Sequence, residues 1–67
     1  MDPMQCLKNA IGAYIDGEYD TVFDCLVDYK NWRERGGFCP DHIDGWENAT
    51  DNGDKVSDRL WAGILGR

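Results

Sequence analysis

Sixty-seven residues make one domain and leave little room for an enclosed active site with its own supporting shell. Hydrophobic residues at 42%, including three Trp, three Tyr and two Phe, are too many for a disordered tail, so the chain should fold. Thirteen acidic against seven basic side chains give a formal charge of −6, which argues against direct binding to DNA, RNA or an anionic membrane, and equally serves solubility.

Asp2-Pro3 predicts a helix start, with Asp as N-cap and Pro at the first helical position. Met4, Leu7, Ile11, Tyr14 and Ile15 follow at helical spacing and form a stripe for a core, widened by Ala10. Cys6, Asn9 and Ala13 fall on the other side. Gly17 is a natural terminator, so the first helix is expected to run to about Asp16.

A second helix is expected from Tyr19 to the Gly36-Gly37 pair, with Asp20 as its cap. The short connection between the two favours an antiparallel hairpin. At about 100° per residue, Val22, Cys25, Leu26 and Tyr29 share one side, flanked by Phe23 and Trp32. Asp20, Asp24 and Asp28 fall almost opposite, so that stripe points to water.

From Phe38 to Gly53 the periodicity stops, and Pro, Gly, Asp and Asn mark loop and turn. A short helical turn is expected near Asp41–Trp46, with Phe38, Ile43 and Trp46 pinning the loop to the core. Asp54 is placed to cap a last helix over residues 55–67, whose end should fray. Val56, Leu60, Trp61, Ile64 and Leu65 supply its buried face, and the like-charged Lys55–Arg59 pair is expected in solvent. No stretch alternates with period two, so the expected fold is all-α. It is a small three-helix domain with a helical hairpin, an acidic loop and a C-terminal helix.

Cys6, Cys25 and Cys39 are odd in number and widely spaced, without an export signal, which points to a reducing cytoplasm rather than a disulfide framework. No apolar run approaches the ~20 residues of a membrane span. With His42, the three thiols would make a zinc-type donor set, but no C-x-x-C knuckle supports it, so no metal and no cofactor is expected. A calcium loop at Asp51–Asp54 fails because Thr50 and Arg59 fall at ligand positions. Cys39 and His42 lack the orienting and oxyanion groups of a catalytic pair, so an enzyme is not expected. Asn48-Ala49-Thr50 is a glycosylation sequon, irrelevant without a secretory route, and Arg35-Gly36-Gly37 reads as a helix terminus.

What stands out is the placement of acid. Between Asn9 and Tyr29 the only charges are Asp16, Glu18, Asp20, Asp24 and Asp28. Between Phe38 and Asp54 they are Asp41, Asp44, Glu47, Asp51 and Asp54. Like charges at i and i+4 repel by a few tenths of a kcal/mol per pair, so such a face is kept at a cost. The expected binding residues are therefore Asp16, Glu18, Asp20, Asp24 and Asp28, with Asp44, Glu47, Asp51 and Asp54 as a second cluster. Their partner would be a protein with a basic groove that otherwise holds phosphates. One helical stripe offers a charge every ~6 Å, from a rise of about 1.5 Å per residue. Duplex DNA offers one per ~1.7 Å, so a duplex mimic needs both clusters on one face.

In length, charge and acidic helix face, though in no motif, the chain resembles the small acidic inhibitors of phages and mobile elements, anti-CRISPR proteins among them. The resemblance implies a bacterial cytoplasm and a CRISPR effector complex blocked at its DNA-binding site. Those proteins share no common fold, so it carries over no residue. On either reading the protein is expected to be a monomer or a small homo-oligomer, and the competing reading is an assembly or regulatory module. Such a module would dock through an apolar helix face and keep its acids for solubility.

Overall fold

The computed structural model describes residues 2–66 and consists of three helices joined by one tight turn and one long loop. They are α1 (Pro3–Ile15), α2 (Tyr19–Glu34) and α3 (Gly53–Leu65). No strand is present among the described residues, so the domain is all-α. Arg67, the last residue of the predicted third helix, lies outside the described residues.

α1 begins as its sequence requires. The Asp2 carboxylate accepts from the Met4 and Gln5 amides, and Pro3 occupies the first turn, where no amide is needed. The helix stops at Ile15 because Gly17 turns left-handed (φ +79). Its amide then reaches Tyr14 O and that of Glu18 reaches Ala13 O, satisfying carbonyls the helix leaves open. α2 ends in the same way at Gly36 (φ +90), with Gly36 N on Arg33 O and Gly37 N on Trp32 O.

Two predicted caps are corrected. α2 starts at Tyr19, so Asp20 lies inside its first turn, and Glu18 at the cap position makes no side-chain cap bond. α3 is capped by Asn52, whose side chain accepts from Lys55 N at 2.9 Å, and not by Asp54. The earlier start leaves Asp54 free to bond elsewhere.

The helices run up, down and up. Cys6 meets Cys25 and Tyr14 meets Tyr19, so α1 and α2 are antiparallel. Arg33 meets Asp54 and Phe23 meets Trp61, so α2 and α3 are antiparallel as well. α1 and α3 are therefore parallel and touch directly, Leu7 beside Gly53 and Tyr14 beside Gly63, and the 37–52 loop connects α2 to α3. The core holds Leu7, Ala10, Ile11 and Ala13 of α1, Val22, Leu26 and Tyr29 of α2, Val56 and Leu60 of α3, and Ile43 of the loop.

Ala13 is buried, against expectation, at the end of α1 where its carbonyl accepts from the Glu18 amide of the turn into α2. Ile15 and Leu65, expected in the core, are 77% and 71% exposed at the end of the bundle where α1 and α3 stop. The loop contains no helical turn. Residues 43–46 form a β-turn, Trp46 N to Ile43 O at 3.2 Å, with Gly45 at φ +84. Its anchors are Ile43, half-buried Trp46 and buried Pro40. Phe38 is exposed and rests edge-on against Trp32.

Candidate partner-binding face

The nine expected contact acids divide into three groups by what holds them. Asp54 is bound into the fold. Its carboxylate takes a two-pronged ion pair from Arg33, with Nε to Oδ1 at 2.9 Å and Nη2 to Oδ2 at 3.0 Å. The Tyr29 hydroxyl donates to Oδ1 at 2.9 Å, and the Asp54 amide donates to Cys39 Sγ at 3.4 Å. Arg33 also donates to the Gly37 carbonyl, so one guanidinium joins the end of α2, the loop and the start of α3. The Arg33 hydrogen bonds hold the Asp54 carboxyl below its ordinary range, and burial drives the Tyr29 hydroxyl upward.

Asp51 is likewise structural, and is 2% exposed. Its Oδ2 accepts from Trp46 Nε1 and from Arg59 Nε, each at 2.9 Å. One buried carboxylate thus fixes the loop's largest side chain to the middle of α3. Lys55 and Arg59 are both exposed, as expected, although Arg59 also pairs with this carboxylate. Asp51 and Asp54 are thus already paired within the fold, unlike the five acids of the hairpin.

The remaining members of that cluster, Asp44 and Glu47, are exposed but stand apart from the α2 stripe. Glu47 borders a notch of about 250 Å³ lined by Ile11, Tyr14 and Ile15 of α1 and Leu60 of α3. Asp44 faces His42, Oδ1 to Nε2 at 3.6 Å. Asp28 instead borders the groove lined by Gln5, Cys6 and Asn9 on the far edge of α1. At about 100° per residue, those two sets of α1 residues point in almost opposite directions. Asp28 of the α2 stripe and Glu47 of the loop therefore lie on opposite sides of α1.

Asp16, Glu18, Asp20, Asp24 and Asp28 form the third group. All five are exposed. The ion pairs among the described residues are Arg33–Asp54, Arg59–Asp51 and His42–Asp44, and none involves any of the five. Glu18 and Asp20 border one shallow pocket at the start of α2, and Asp2 shares with Asp28 the groove beside α1. The stripe continues from the turn to the α1–α2 groove without an intervening cation. Beside it, and easily missed in the sequence because it sits at the flank of the core pattern, Phe23 is 48% exposed. Its ring lies edge-on to Trp61 at 5.2 Å, so two aromatic rings form a ridge on the α3 side of the acids.

The cysteines and His42 occupy three separate places. Cys6 and Cys25 face one another between α1 and α2, Cys39 sits against Tyr29 and Asp54, and His42 lies on the loop surface. Among the described residues, no group of three or more His, Cys, Asp or Glu side chains is placed to hold a metal ion. No helix among them is long and apolar enough to cross a membrane. No family model, no curated protein and no solved structure matches the chain.

Proposed function

We propose that this domain is a non-enzymatic binding protein whose α2 acids occupy a basic, nucleic-acid-binding groove of a protein partner. The contacts are Asp20, Asp24 and Asp28, with Asp16 and Glu18 extending the row around the turn. The observation that supports this reading is the contrast in how the acids are treated. Two of the chain's arginines neutralise Asp51 and Asp54, while five consecutive acids of the α1–α2 hairpin have no cation within ion-pair distance among the described residues.

The separation of the loop acids changes what the face can imitate. Spaced by four residues, the stripe places a charge every ~6 Å, against ~3.4 Å per phosphate along one strand of duplex DNA. That is close to every second phosphate of a single strand, and too sparse for both strands. The reading is therefore a row of acids laid along the track of one backbone in the partner. Charge would raise the encounter rate, and the Phe23–Trp61 ridge would slow dissociation. A bacterial CRISPR effector complex blocked at its DNA-binding site is a target of this kind.

A second reading rests on the exposed Ile15 and Leu65, which lie at the same end of the bundle and would suit apolar docking of a regulatory module. One experiment separates the two. Affinity capture is run with wild type and with an Asp20→Asn, Asp24→Asn, Asp28→Asn variant, at low and moderate salt. Recovery by wild type alone of a nucleic-acid-binding partner, displaced by single-stranded DNA and lost as salt rises, is the expected result. Equal recovery by both proteins at both salt levels would overturn the acidic-face reading in favour of the apolar one.

A further inference from the structure

Cys6 on α1 and Cys25 on α2 lie 19 positions apart in sequence and face each other across the antiparallel hairpin. The Cys6 thiol donates to the Cys25 carbonyl at 3.0 Å, a reach that brings one sulfur against the other residue's backbone. Both side chains are half-buried, and both line the same open groove, with Gln5, Asn9 and Asp28 around them. Small reagents can therefore reach either sulfur from solvent. Cys39 is separated from the pair by Tyr29 and bonds at the start of α3.

We propose that Cys6 and Cys25 form an oxidisable dithiol that closes to a disulfide between α1 and α2 when a small-molecule disulfide such as oxidised glutathione is supplied. The chemistry balances as two exchanges. The Cys25 thiolate attacks one sulfur of oxidised glutathione, forming a mixed disulfide and releasing one glutathione thiolate, which takes up a proton. The Cys6 thiolate then attacks the Cys25 sulfur, forming the internal bond and expelling the second glutathione. Two thiols are oxidised and one glutathione disulfide is reduced to two glutathiones.

The order follows from the environment. Burial, with Asp28 and Asp24, raises the Cys25 thiol too, but less than it does Cys6, so Cys25 is the readier of the two to ionise and attacks first. Burial pushes the Cys6 thiol up to about 11, with Cys25 and Asp28 adding to the shift, so Cys6 serves better as the resolving sulfur. Closure should therefore be slow at neutral pH and quicken as the solution becomes alkaline. The bond would join two helices already packed together, and it leaves the α2 acids facing solvent. This inference stands apart from the partner-binding proposal.

The test is incubation of the intact protein with oxidised glutathione at mildly alkaline pH, read by intact mass, peptide mapping and circular dichroism. The expected product has lost two hydrogens, links Cys6 to Cys25, keeps Cys39 free to alkylation, retains its helical spectrum and melts at a higher temperature. Cys6→Ser should accumulate a glutathione adduct on Cys25, while Cys25→Ser should react far more slowly at Cys6. Three free thiols after prolonged oxidation, a persistent glutathione adduct on wild type, a bond through Cys39, or loss of helix on oxidation would each overturn the proposal.

Discussion

Asp51 and Asp24 are the same residue type with opposite assignments, and only their surroundings decide which is structural. Removing the Asp51 carboxylate leaves the Trp46 N–H half-buried without its acceptor and the Arg59 guanidinium without its ion pair. Asp51→Ala should therefore cost about 1–3 kcal/mol in denaturant unfolding. The Asp20→Asn, Asp24→Asn, Asp28→Asn variant should lose none, since it relieves repulsions of a few tenths of a kcal/mol per pair. Protons test the same distinction. The folded pKa of Asp54 lies below its ordinary value, so its contribution is present in full above about pH 4 and is lost as pH falls through the lower folded value. Cys6 acts at the other limit. Its pKa rises from 9.0 to about 11 on folding, so stability is complete below the first value and declines as pH climbs toward the second. Melting temperature against pH should show both limbs, with Asp54→Asn flattening the acid limb and Cys6→Ala softening the alkaline one. The sequence reveals the α2 stripe because helical periodicity is local, and four-residue spacing survives any tertiary arrangement. It hides the Arg33–Asp54 pair, 21 positions apart, and the Trp46–Asp51–Arg59 group, which depends on how the loop folds back.

The three helices were legible because each carries a local start, a local stop and an apolar face. Asp2-Pro3, Gly17 and the Gly36-Gly37 pair are sufficient to bound α1 and α2 within a residue or two. The third start was misplaced because Asp54 and Asn52 are both good caps. The structure uses Asn52 because Asp54 is drawn into the Arg33 and Tyr29 contacts. The loop was not legible, since its order comes from the α1–α3 groove it fills rather than from its own propensity. Glycines inside helices show how packing overrides propensity. Replacing a helical Gly by Ala ordinarily stabilises by roughly 0.5–1 kcal/mol. At Gly12, exposed and with nothing near an added Cβ, that gain should appear in full. At Gly63 an added Cβ would lie 2.4 Å from the Tyr14 hydroxyl oxygen and 2.8 Å from its ring, where α1 crosses the end of α3. Gly63→Ala must displace that ring, so it should lower the melting temperature while Gly12→Ala raises it. A rise at both positions would mean that Tyr14 does not hold α1 against α3.

For the molecule as a whole, the charge of −6 is not spread evenly, and its unevenness has a measurable consequence. A domain of this size buries only about 60% of the surface its unfolded chain exposes, so its net stability is small and a few repulsions count. The five bare acids of the hairpin are the largest single source of such repulsion. Neighbours along α2 are separated by about 6 Å of helix axis, less than the screening length of about 10 Å at 0.1 M salt. Added salt should therefore stabilise the free protein by screening the stripe. The same salt should weaken the Arg33–Asp54 pair, which is partly exposed, but that pair is anchored by a two-pronged geometry and by Tyr29. We expect the melting temperature of wild type to climb as sodium chloride rises from low to moderate concentration. The variant with Asn at positions 20, 24 and 28 should start higher and climb less. Parallel curves for the two proteins would mean that the stripe costs the fold nothing. The acids would then need no reason beyond solubility, and the case for a partner that neutralises them would lose its energetic footing. A flatter curve for the variant would show that the free protein carries a destabilising face, one that the proposed cationic groove would relieve.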